Sequence, residues 1–286
     1  MKKKSIVVLY HADCLDGFCA MWVAWKKFGN RARYYAVQPR TLPHEYIQNA
    51  EVYVLDNSLS LKDINILRAR GCSVIILDHH KSSEVDVRHA DIYRFDIQHS
   101  GAMLTWKYFF PDVKIPWLVR YVEDGDLWNF KLAHTDQVRN VLVLGGYHLR
   151  VWDSFARALE NPIKKKSIIA EGKIIEHYRK TLIEQSTQNA YLVRLAGHTV
   201  YAVNEATEAF RSEVAHILYE KKPPFSVVWA QEQDQIHVSL RSNGSFDVSK
   251  LAKKYGGGGH AVAAGFSISV DKPFPWRIVK KTKKAV

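Results

Sequence analysis

The chain has 286 residues, of which 47% are hydrophobic and 24% are charged. These values are typical of a folded globular protein and exclude wholesale disorder, and the absence of an apolar run of about 18 residues argues against a membrane span. The net charge of +12 favours phosphate-rich partners such as nucleotides or nucleic acid, although lysines that only improve solubility are the alternative.

Lysines cluster at residues 2–4, 164–166 and 280–284. The first cluster precedes an apolar run, as in a signal peptide, but that run stops at His11 without a cleavage site, so it is better interpreted as a strand. Three cysteines without a paired spacing predict reduced thiols rather than disulfides. We therefore expect a cytoplasmic protein.

Apolar runs at Ile6–Tyr10, Val52–Leu55 and Val74–Leu77 predict three buried strands. Between them, Phe18–Phe28 and Ser60–Arg70 have the apolar spacing of helices. Strands that alternate with helices predict βαβ units and a parallel sheet.

Further along, a helix is predicted over Gly101–Phe110, and another over Trp117–Val122 with a loop at Glu123–Trp128. A largely helical stretch from Trp152 to Ala190 predicts a linker, after which strand-like and helix-like segments alternate again. We therefore predict an α/β protein with a larger amino-terminal parallel-sheet domain (1–150), a helical linker (151–190) and a smaller carboxy-terminal α/β domain (191–286).

Polar residues that can bind metals follow each of the three predicted strands. Because open α/β sheets build their sites at the carboxyl ends of their strands, these residues are candidates for one site. Nitrogen and oxygen ligands of this kind suit Mn²⁺, Mg²⁺ or Zn²⁺. The alternatives are a polar loop after the first strand and a helix cap at the second. The residues are His11, Asp13, Asp16, Asp56, Asp78, His79 and His80.

Asp124 and Asp126 flank Gly125, and an acidic turn is the simplest interpretation of that segment. Taken with the three strand ends, the turn could complete a pair of divalent cations bridged by carboxylates. Two such cations about 3.5–4 Å apart activate water and clamp a phosphoryl group.

With these motifs, the sequence resembles the DHH phosphoesterases, which are named after a triplet seen here as Asp78-His79-His80. The family's first motif is a histidine or aspartate followed by two aspartates and a glycine, and His11, Asp13, Asp16 and Gly17 resemble it. Two residues separate the aspartates here, where the family has one, so the resemblance leaves open whether Asp13 or Asp16 binds metal.

The resemblance also implies a role for each remaining residue. Asp56 would bridge the two cations, and His79 would bind the second. His80 would contact the substrate phosphate or help to protonate the leaving group, while Asp78 orients the histidines. Either Asp124 or Asp126 would supply the last carboxylate, and we favour Asp126 because it directly precedes Leu-Trp.

The segment Gly256–Phe266 is similar to the signature of the substrate-binding domain associated with the DHH domain. Its glycines would expose backbone N–H groups to a phosphate, and a flexible loop is the alternative. The resemblance implies a substrate-binding set of Arg241, Ser242, Gly257, Gly258, Gly259 and His260.

From the resemblance we expect a phosphoesterase with two Mn²⁺ ions, with Mg²⁺ or Co²⁺ as alternatives. The two-domain build and basic charge favour short oligonucleotides or dinucleotides, cleaved by a 3'–5' exonuclease of the oligoribonuclease or nano-RNase type. Alternative functions are a phosphodiesterase or phosphatase for cyclic dinucleotides or pAp-like nucleotides, and a nucleic-acid-binding protein without hydrolytic activity. We expect no membrane partner, and the chain could form a homodimer.

Overall fold

The computed structural model describes residues 4–279, and the chain divides into two compact units, Met1–Glu176 and His177–Val286. Apart from Lys4, the lysine clusters at the two ends lie outside the described residues. Over the described range, every helix is too short or too polar to cross a membrane.

The first unit contains a five-stranded sheet with the strand order β2-β1-β3-β4-β5, in which every neighbouring pair is parallel. The predicted parallel α/β fold is therefore confirmed, with two further strands, β2 and β5, at the edges. The strands are β1 (Ser5–His11), β2 (Ala32–Val37), β3 (Ala50–Leu55), β4 (Ser73–Asp78) and β5 (Ile92–Phe95).

Helices cover both faces of this sheet, because successive strand residues point to opposite sides. One core contains Val8 and Leu77 with residues of α1, α4, α5 and α7, and the other contains Leu9 and Ile76 with residues of α2. The helices are α1 (Leu15–Phe28), α2 (Leu61–Ala69), α3 (Glu84–Val87), α4 (Gly101–Phe109), α5 (Trp117–Asp126), α6 (Thr135–Leu144), α7 (Leu149–Glu160) and α8 (Pro162–Gln188), the last of which crosses the boundary between the units.

The structure corrects one local prediction and excludes one alternative interpretation. The acidic segment predicted as a loop after Val122 is instead the last turn of α5, because the Leu127 N–H donates to the Glu123 carbonyl 3.0 Å away. The cap of α2 is Ser60, whose hydroxyl accepts from the Asp63 N–H. Asp56 is therefore free for another role.

The second unit contains a seven-stranded sheet with the order β10-β11-β9-β8-β7-β6-β12. Only the β7–β8 pair is parallel among the described strands of this sheet. Helices α9 (Glu208–Lys221) and α10 (Val248–Lys253) contribute to separate hydrophobic cores that involve different residues of this sheet. The strands are β6 (Tyr191–Leu195), β7 (His198–Asn204), β8 (Phe225–Glu232), β9 (Gln235–Ser242), β10 (Gly258–His260), β11 (Ala263–Ser269) and β12 (Arg277–Ile278).

A candidate two-cation centre at the edge of the parallel sheet

Five side chains converge where β1, β3 and β4 end. His11 is the last residue of β1, Asp56 directly follows β3, and His79 directly follows β4. Since these strands are parallel neighbours, their carboxyl ends lie along one edge of the sheet. The first turn of α1 adds Asp16, and the last turn of α5 adds Asp126.

Asp56 occupies the middle of this cluster and is 1% exposed. Its Oδ1 lies 3.1 Å from His79 Nε2, whereas its Oδ2 lies 3.3 Å from His11 Nδ1 and 3.6 Å from Cys14 Sγ. Each oxygen of this one carboxylate therefore faces a different group of donors.

The group on the Oδ1 side is completed by two more carboxylates. His79 Nε2 lies 3.8 Å from Asp16 Oδ2 and 3.6 Å from Asp126 Oδ2. The other oxygen of Asp16 accepts a hydrogen bond from the Ala102 N–H at the start of α4, which fixes the carboxylate in place. Gly101 lets the start of α4 lie against Asp56, because a Cβ there would lie 2.5 Å from the Asp56 Cβ.

The group on the Oδ2 side contains a residue that sequence reasoning missed. Cys14 joins His11 and Asp56 in one set of potential ligand atoms that all lie within 4.8 Å of one another. Asp13 is instead exposed, has a left-handed φ of 53°, and accepts from Gln38 Nε2 at 3.4 Å. The structure thus brings Asp16 and Cys14 into the cluster and leaves Asp13 at its rim. The extra residue between the two aspartates is the sequence signal from which Cys14 could have been found.

Asp78 and His80 form a pair beside the cluster. Asp78 is fully buried, and its Oδ1 lies 2.7 Å from His80 Nδ1 and accepts from the His79 N–H at 2.8 Å. Its other oxygen accepts from the Ser83 hydroxyl. The carboxylate therefore orients both histidines, while the His80 side chain remains 42% exposed.

The two acidic residues near the end of α5 have different surroundings. Asp126 faces His79, whereas both oxygens of Asp124 accept hydrogen bonds from the segment that follows α5. The donors are the Lys131 and Leu132 N–H groups at 2.9 and 3.1 Å and the Thr135 hydroxyl. Asp124 therefore holds the loop that leads to α6 and lies outside the cluster.

The cluster concentrates negative charge in a buried place. Burial, together with the nearby charges of Asp56 and Asp126, raises the pKa of Asp16 well above its usual range. Burial and the charge of Asp56 likewise raise the pKa of Asp126. Burial alone would raise the pKa of Asp56 too, but the adjacent imidazoles of His11 and His79 lower it.

The histidines respond in the opposite direction. Burial would lower the pKa of His79, but the carboxylates of Asp56 and Asp126 raise it. The hydrogen bond to Asp78 raises the pKa of His80 to about 9. Burial and the charge of Asp56 raise the pKa of the Cys14 thiol. Without a cation, burial and the neighbouring negative charges therefore disfavour the ionised forms of Asp16 and Asp126.

These residues fit a pair of divalent cations. Among the described residues, the buried atoms His11 Nδ1 and Asp16 Oδ2 have no well-aligned hydrogen-bonding partner, although buried polar atoms are normally paired. Imidazole nitrogens and carboxylate oxygens are ligands for Mn²⁺, Zn²⁺ and related ions. His11, Cys14 and Asp56 would hold one cation, and Asp16, Asp56, His79 and Asp126 the other.

A pocket of about 400 Å³ opens beside the cluster and is lined by His11, Asp16, Asp126, Arg139 and Tyr147, among others. Arg139 reaches it from α6 across Gly125, where a Cβ would lie 2.3 Å from the Arg139 Nη1. Within the described range, the buried Arg139 Nε has no hydrogen-bonding partner. Sequence reasoning missed this arginine because only packing brings it to the pocket.

The residues predicted to bind substrate in the second unit lie in one region of its sheet. Arg241 on β9 and His260 on β10 both pair with Ala263 on β11, so their side chains share a face about 10 Å apart. Arg241 donates to Ser212 Oγ at 3.1 Å, and burial lowers its pKa. His260 is exposed.

Two of the groups predicted to bind substrate already make hydrogen bonds within the protein. In the glycine run, Gly258, Gly259 and His260 form β10, and the Gly257 N–H donates to the Ala252 carbonyl at 3.0 Å. That N–H is therefore already bonded within the protein. Ser242 is buried, and its hydroxyl donates to the Phe246 carbonyl at 2.7 Å, which is a structural contact.

Comparison with known proteins matches one segment of the chain to a family model and the chain to a viral relative. Residues 197–275 match the family model of the DHHA1 domain. An uncharacterized protein of Acanthamoeba polyphaga mimivirus, R106, is 29% identical over 295 residues, which cover 94% of this chain and 68% of that protein.

Solved structures share the fold at low sequence identity. The DHH domain of a protein described as a member of a family of ribosomal proteins has a TM-score of 0.62 at 13% identity, covering 93% of this chain and 83% of that one. The pGpG-specific phosphodiesterase PggH of Vibrio cholerae has a TM-score of 0.55 at 16% identity, covering 94% of each chain. RecJ of Thermus thermophilus in complex with Mn²⁺ has a TM-score of 0.52 at 15% identity, covering 93% of this chain and 49% of RecJ.

The fold extends over nearly the whole chain, and the family match lies within the second unit. The chain thus carries the strand-end motifs in its first unit and the match to the DHHA1 domain in its second unit. This is the order that the sequence predicted. Residues 197–275 thus match the DHHA1 domain model, and the chain shares its fold with a solved DHH domain.

Proposed function

We propose that the protein is a divalent-metal-dependent phosphodiesterase that hydrolyses short oligonucleotides in the 3'–5' direction. The observation that carries this proposal is the Asp56 carboxylate, which presents one oxygen to each of two donor groups. A carboxylate in this position suits a bridge between two cations. When bound, such a pair supplies a nucleophile at neutral pH and neutralises charge on the phosphoryl oxygens.

The chain's own residues supply the remaining chemistry. His80, with a pKa raised to about 9, carries a proton at neutral pH and is exposed enough to donate it to a phosphate oxygen or to the leaving group. Asp78 holds the His80 ring by accepting from Nδ1, so that Nε2 is the atom left to face substrate.

Arg139 is our candidate for the phosphate contact in the first unit. Its guanidinium lines the pocket beside the cluster, and its Nε has no partner among the described residues. A guanidinium of this kind pairs with two phosphate oxygens at once. In this role, Arg139 would place the phosphodiester against the side chains of His80 and Asp126.

Trp128 is our candidate for stacking on a nucleobase. It lies two residues after Asp126, its left-handed φ of 52° turns the chain at the end of α5, and it is 82% exposed. A large aromatic ring that is almost wholly exposed beside a polar cluster suits base stacking, which is worth about 1–3 kcal/mol per base.

The same centre would serve related substrates, and PggH of Vibrio cholerae is a phosphodiesterase specific for pGpG. A phosphodiesterase or phosphatase for cyclic dinucleotides or pAp-like nucleotides is therefore the second candidate. We take Mn²⁺ as the activating ion to test first, because RecJ binds it, and Mg²⁺ as the second. The basic net charge of +12 supports a nucleic-acid substrate in either case.

The experiment compares hydrolysis of a labelled RNA pentamer, linear and cyclic dinucleotides, pAp and pyrophosphate by the full chain with Mn²⁺ or Mg²⁺. Stepwise release of mononucleotides from the pentamer, ending at its 5' residue, is the expected result. Exclusive turnover of a cyclic dinucleotide or of pAp would replace this proposal by the second candidate. Binding without turnover under all conditions would indicate a non-hydrolytic nucleic-acid-binding protein.

Replacing Trp128 with alanine tests base stacking separately from phosphodiester hydrolysis. We expect a KM for the pentamer at least about fivefold higher, with unchanged hydrolysis of a phosphodiester that has no base. Tyr46→Ala is the matched control, because Tyr46 is 62% exposed but stacks on Arg70, which lies before β4 at the opposite edge of the sheet. An equal effect of both substitutions would contradict the stacking role.

A further inference from the structure

We propose that Cys14 Sγ is a direct ligand of the cation held by His11 and Asp56. This position would then be a mixed nitrogen, oxygen and sulfur site that takes Zn²⁺, Co²⁺ or Fe²⁺ in preference to Mg²⁺ or Mn²⁺. The inference rests on the proposed two-cation centre and assigns different ion classes to its two positions.

The distances between the three donor atoms support a shared ion. Cys14 Sγ lies 3.6 Å and His11 Nδ1 lies 3.3 Å from the same oxygen of Asp56. A tetrahedral ion with bonds of about 2.3 Å to sulfur and about 2.1 Å to oxygen or nitrogen separates such ligand pairs by about 3.6 and about 3.4 Å. The side chains therefore already have the spacing of ligands around one ion.

The backbone holds Cys14 in this place. Cys14 is the extended residue that precedes α1, and its carbonyl accepts from the Phe18 N–H at 3.0 Å. Gly17 lets this first turn pack against the end of β1, since a Cβ there would lie 2.3 Å from the His11 carbonyl oxygen. Cys14 and His11 are thus fixed on either side of the same gap.

Unpaired buried atoms point to a ligand independently of the thiol. Across the part of the chain that the structure describes, His11 Nδ1 has no well-aligned hydrogen-bonding partner, and neither does the Asp16 Oδ2 atom of a carboxylate that is 1% exposed. One atom belongs to each donor group around Asp56. Cations at both positions would satisfy both atoms.

The chemistry of sulfur predicts a difference between the two positions. Thiolate favours Zn²⁺ and other softer ions, whereas carboxylate and imidazole ligands also suit Mn²⁺. Cys14 would bind as the thiolate, so that one sulfur–metal bond forms and the S–H proton passes to solvent. The group of Asp16, His79 and Asp126 has no sulfur among its members.

The test is Co²⁺ titration of the metal-free full chain followed by near-ultraviolet absorbance, in which a sulfur-to-cobalt charge-transfer band reports thiolate ligation. We expect this band in the wild type and its loss in Cys14→Ser and Cys14→Asp. Zn²⁺ should bind the serine variant at least about tenfold more weakly, because loss of outer partners alone costs about 10–100-fold in affinity. Cys14→Asp should shift the preference toward Mn²⁺.

Cys72→Ala is the matched control, because Cys72 is a buried thiol that packs in the core with α2, away from the cluster. It should keep the full band. Stoichiometric Co²⁺ binding without the band in the wild type, or a band that persists in Cys14→Ser, would overturn the inference. If the variants do not fold, protection of Cys14 from alkylation by Zn²⁺ in the wild type gives the same decision, and unchanged labelling contradicts the proposal.

These readouts also separate this inference from the proposed function. A Cys14-dependent band in a chain that hydrolyses no phosphodiester would support the sulfur ligand and contradict the function. Hydrolysis with Mn²⁺ that is unchanged in Cys14→Ser, without a band in the wild type, would support the function and contradict the sulfur ligand.

Discussion

The polar residues of the two units differ in burial and in hydrogen bonding. In the first unit, three carboxylates and two imidazoles lie close together in a buried cluster, and some of their atoms have no well-aligned partner among the described residues. In the second unit, Ser242 is bonded to the backbone, Arg241 is bonded to Ser212, and His260 is exposed. The first arrangement leaves buried atoms that a cation would satisfy, whereas the polar groups of the second are bonded within the protein or exposed.

This difference suggests that the two units have separate roles, one in metal binding and catalysis and the other in substrate binding. A site that holds unpaired buried charge is suited to bind metals and catalyse a reaction, because the bound cation replaces the interactions with water that burial removed. A sheet face with donors that are already positioned is suited to hold a substrate. If so, substitutions in the buried cluster of the first unit should change turnover and metal binding, and substitutions of the predicted substrate-binding residues of the second unit should change KM alone.

The strongest test of this division is Asp56→Asn. The variant removes the charge that faces both donor groups, so we expect turnover to fall by at least about 1,000-fold, equivalent to about 4 kcal/mol of transition-state stabilisation. Metal binding should weaken in parallel, as followed by calorimetric titration. Turnover within about tenfold of the wild type would show that Asp56 does not bind the cations.

Asp126 and Asp124 offer a matched pair of carboxylates on one helix. Asp126→Asn should weaken metal binding about 10–100-fold and lower turnover in proportion, with little change in the free energy of unfolding of the metal-free protein. Asp124→Ala should instead lower that free energy by about 2–4 kcal/mol, because its buried partners lose their acceptor. Denaturant unfolding and metal titration of both variants decide between the roles, and exchanged phenotypes would show that Asp124 is the ligand.

The Asp78–His80 pair predicts a pH dependence. Because the pKa of His80 is raised to about 9 in the folded protein, its contribution to stability is complete below the unfolded value of about 6.5 and is lost as pH rises through about 9. Asp78→Asn should lower this pKa, so the alkaline limb of turnover should move down by up to about two pH units. Identical profiles for variant and wild type would show that His80 does not supply the proton.

The last prediction tests the second unit. Arg241→Ala should raise KM for a pentanucleotide about tenfold, since hydrogen bonds to charged groups contribute about 1.5–3 kcal/mol. Turnover at saturation and Co²⁺ binding should be unchanged. A fall in turnover without a change in KM would contradict the assignment of substrate binding to Arg241 in the second unit. Arg194→Ala on β6 is a control arginine in the same sheet.

Much of the fold was predictable because its signals are local. The apolar runs before His11, Asp56 and Asp78 predicted the three central strands and the parallel sheet that the structure contains. The outer strands β2 and β5 were not predicted, and most of their residues are half-buried or exposed. The last turn of α5 was missed because an acid-glycine-acid sequence is typical of a turn, whereas here Gly125 makes room for Arg139.

The same distinction between local sequence signals and tertiary packing applies to the site. The sequence alone determined which residue types stand at the strand ends, because residue type and strand position are properties of the chain itself. Only the tertiary structure placed Asp126 beside His79 and Asp124 against the loop after α5, placed Cys14 beside Asp56 and Asp13 at the rim, and brought Arg139 to the pocket. These choices depend on which helix packs on which strand end, and residues far apart in sequence meet there through packing that no local pattern encodes.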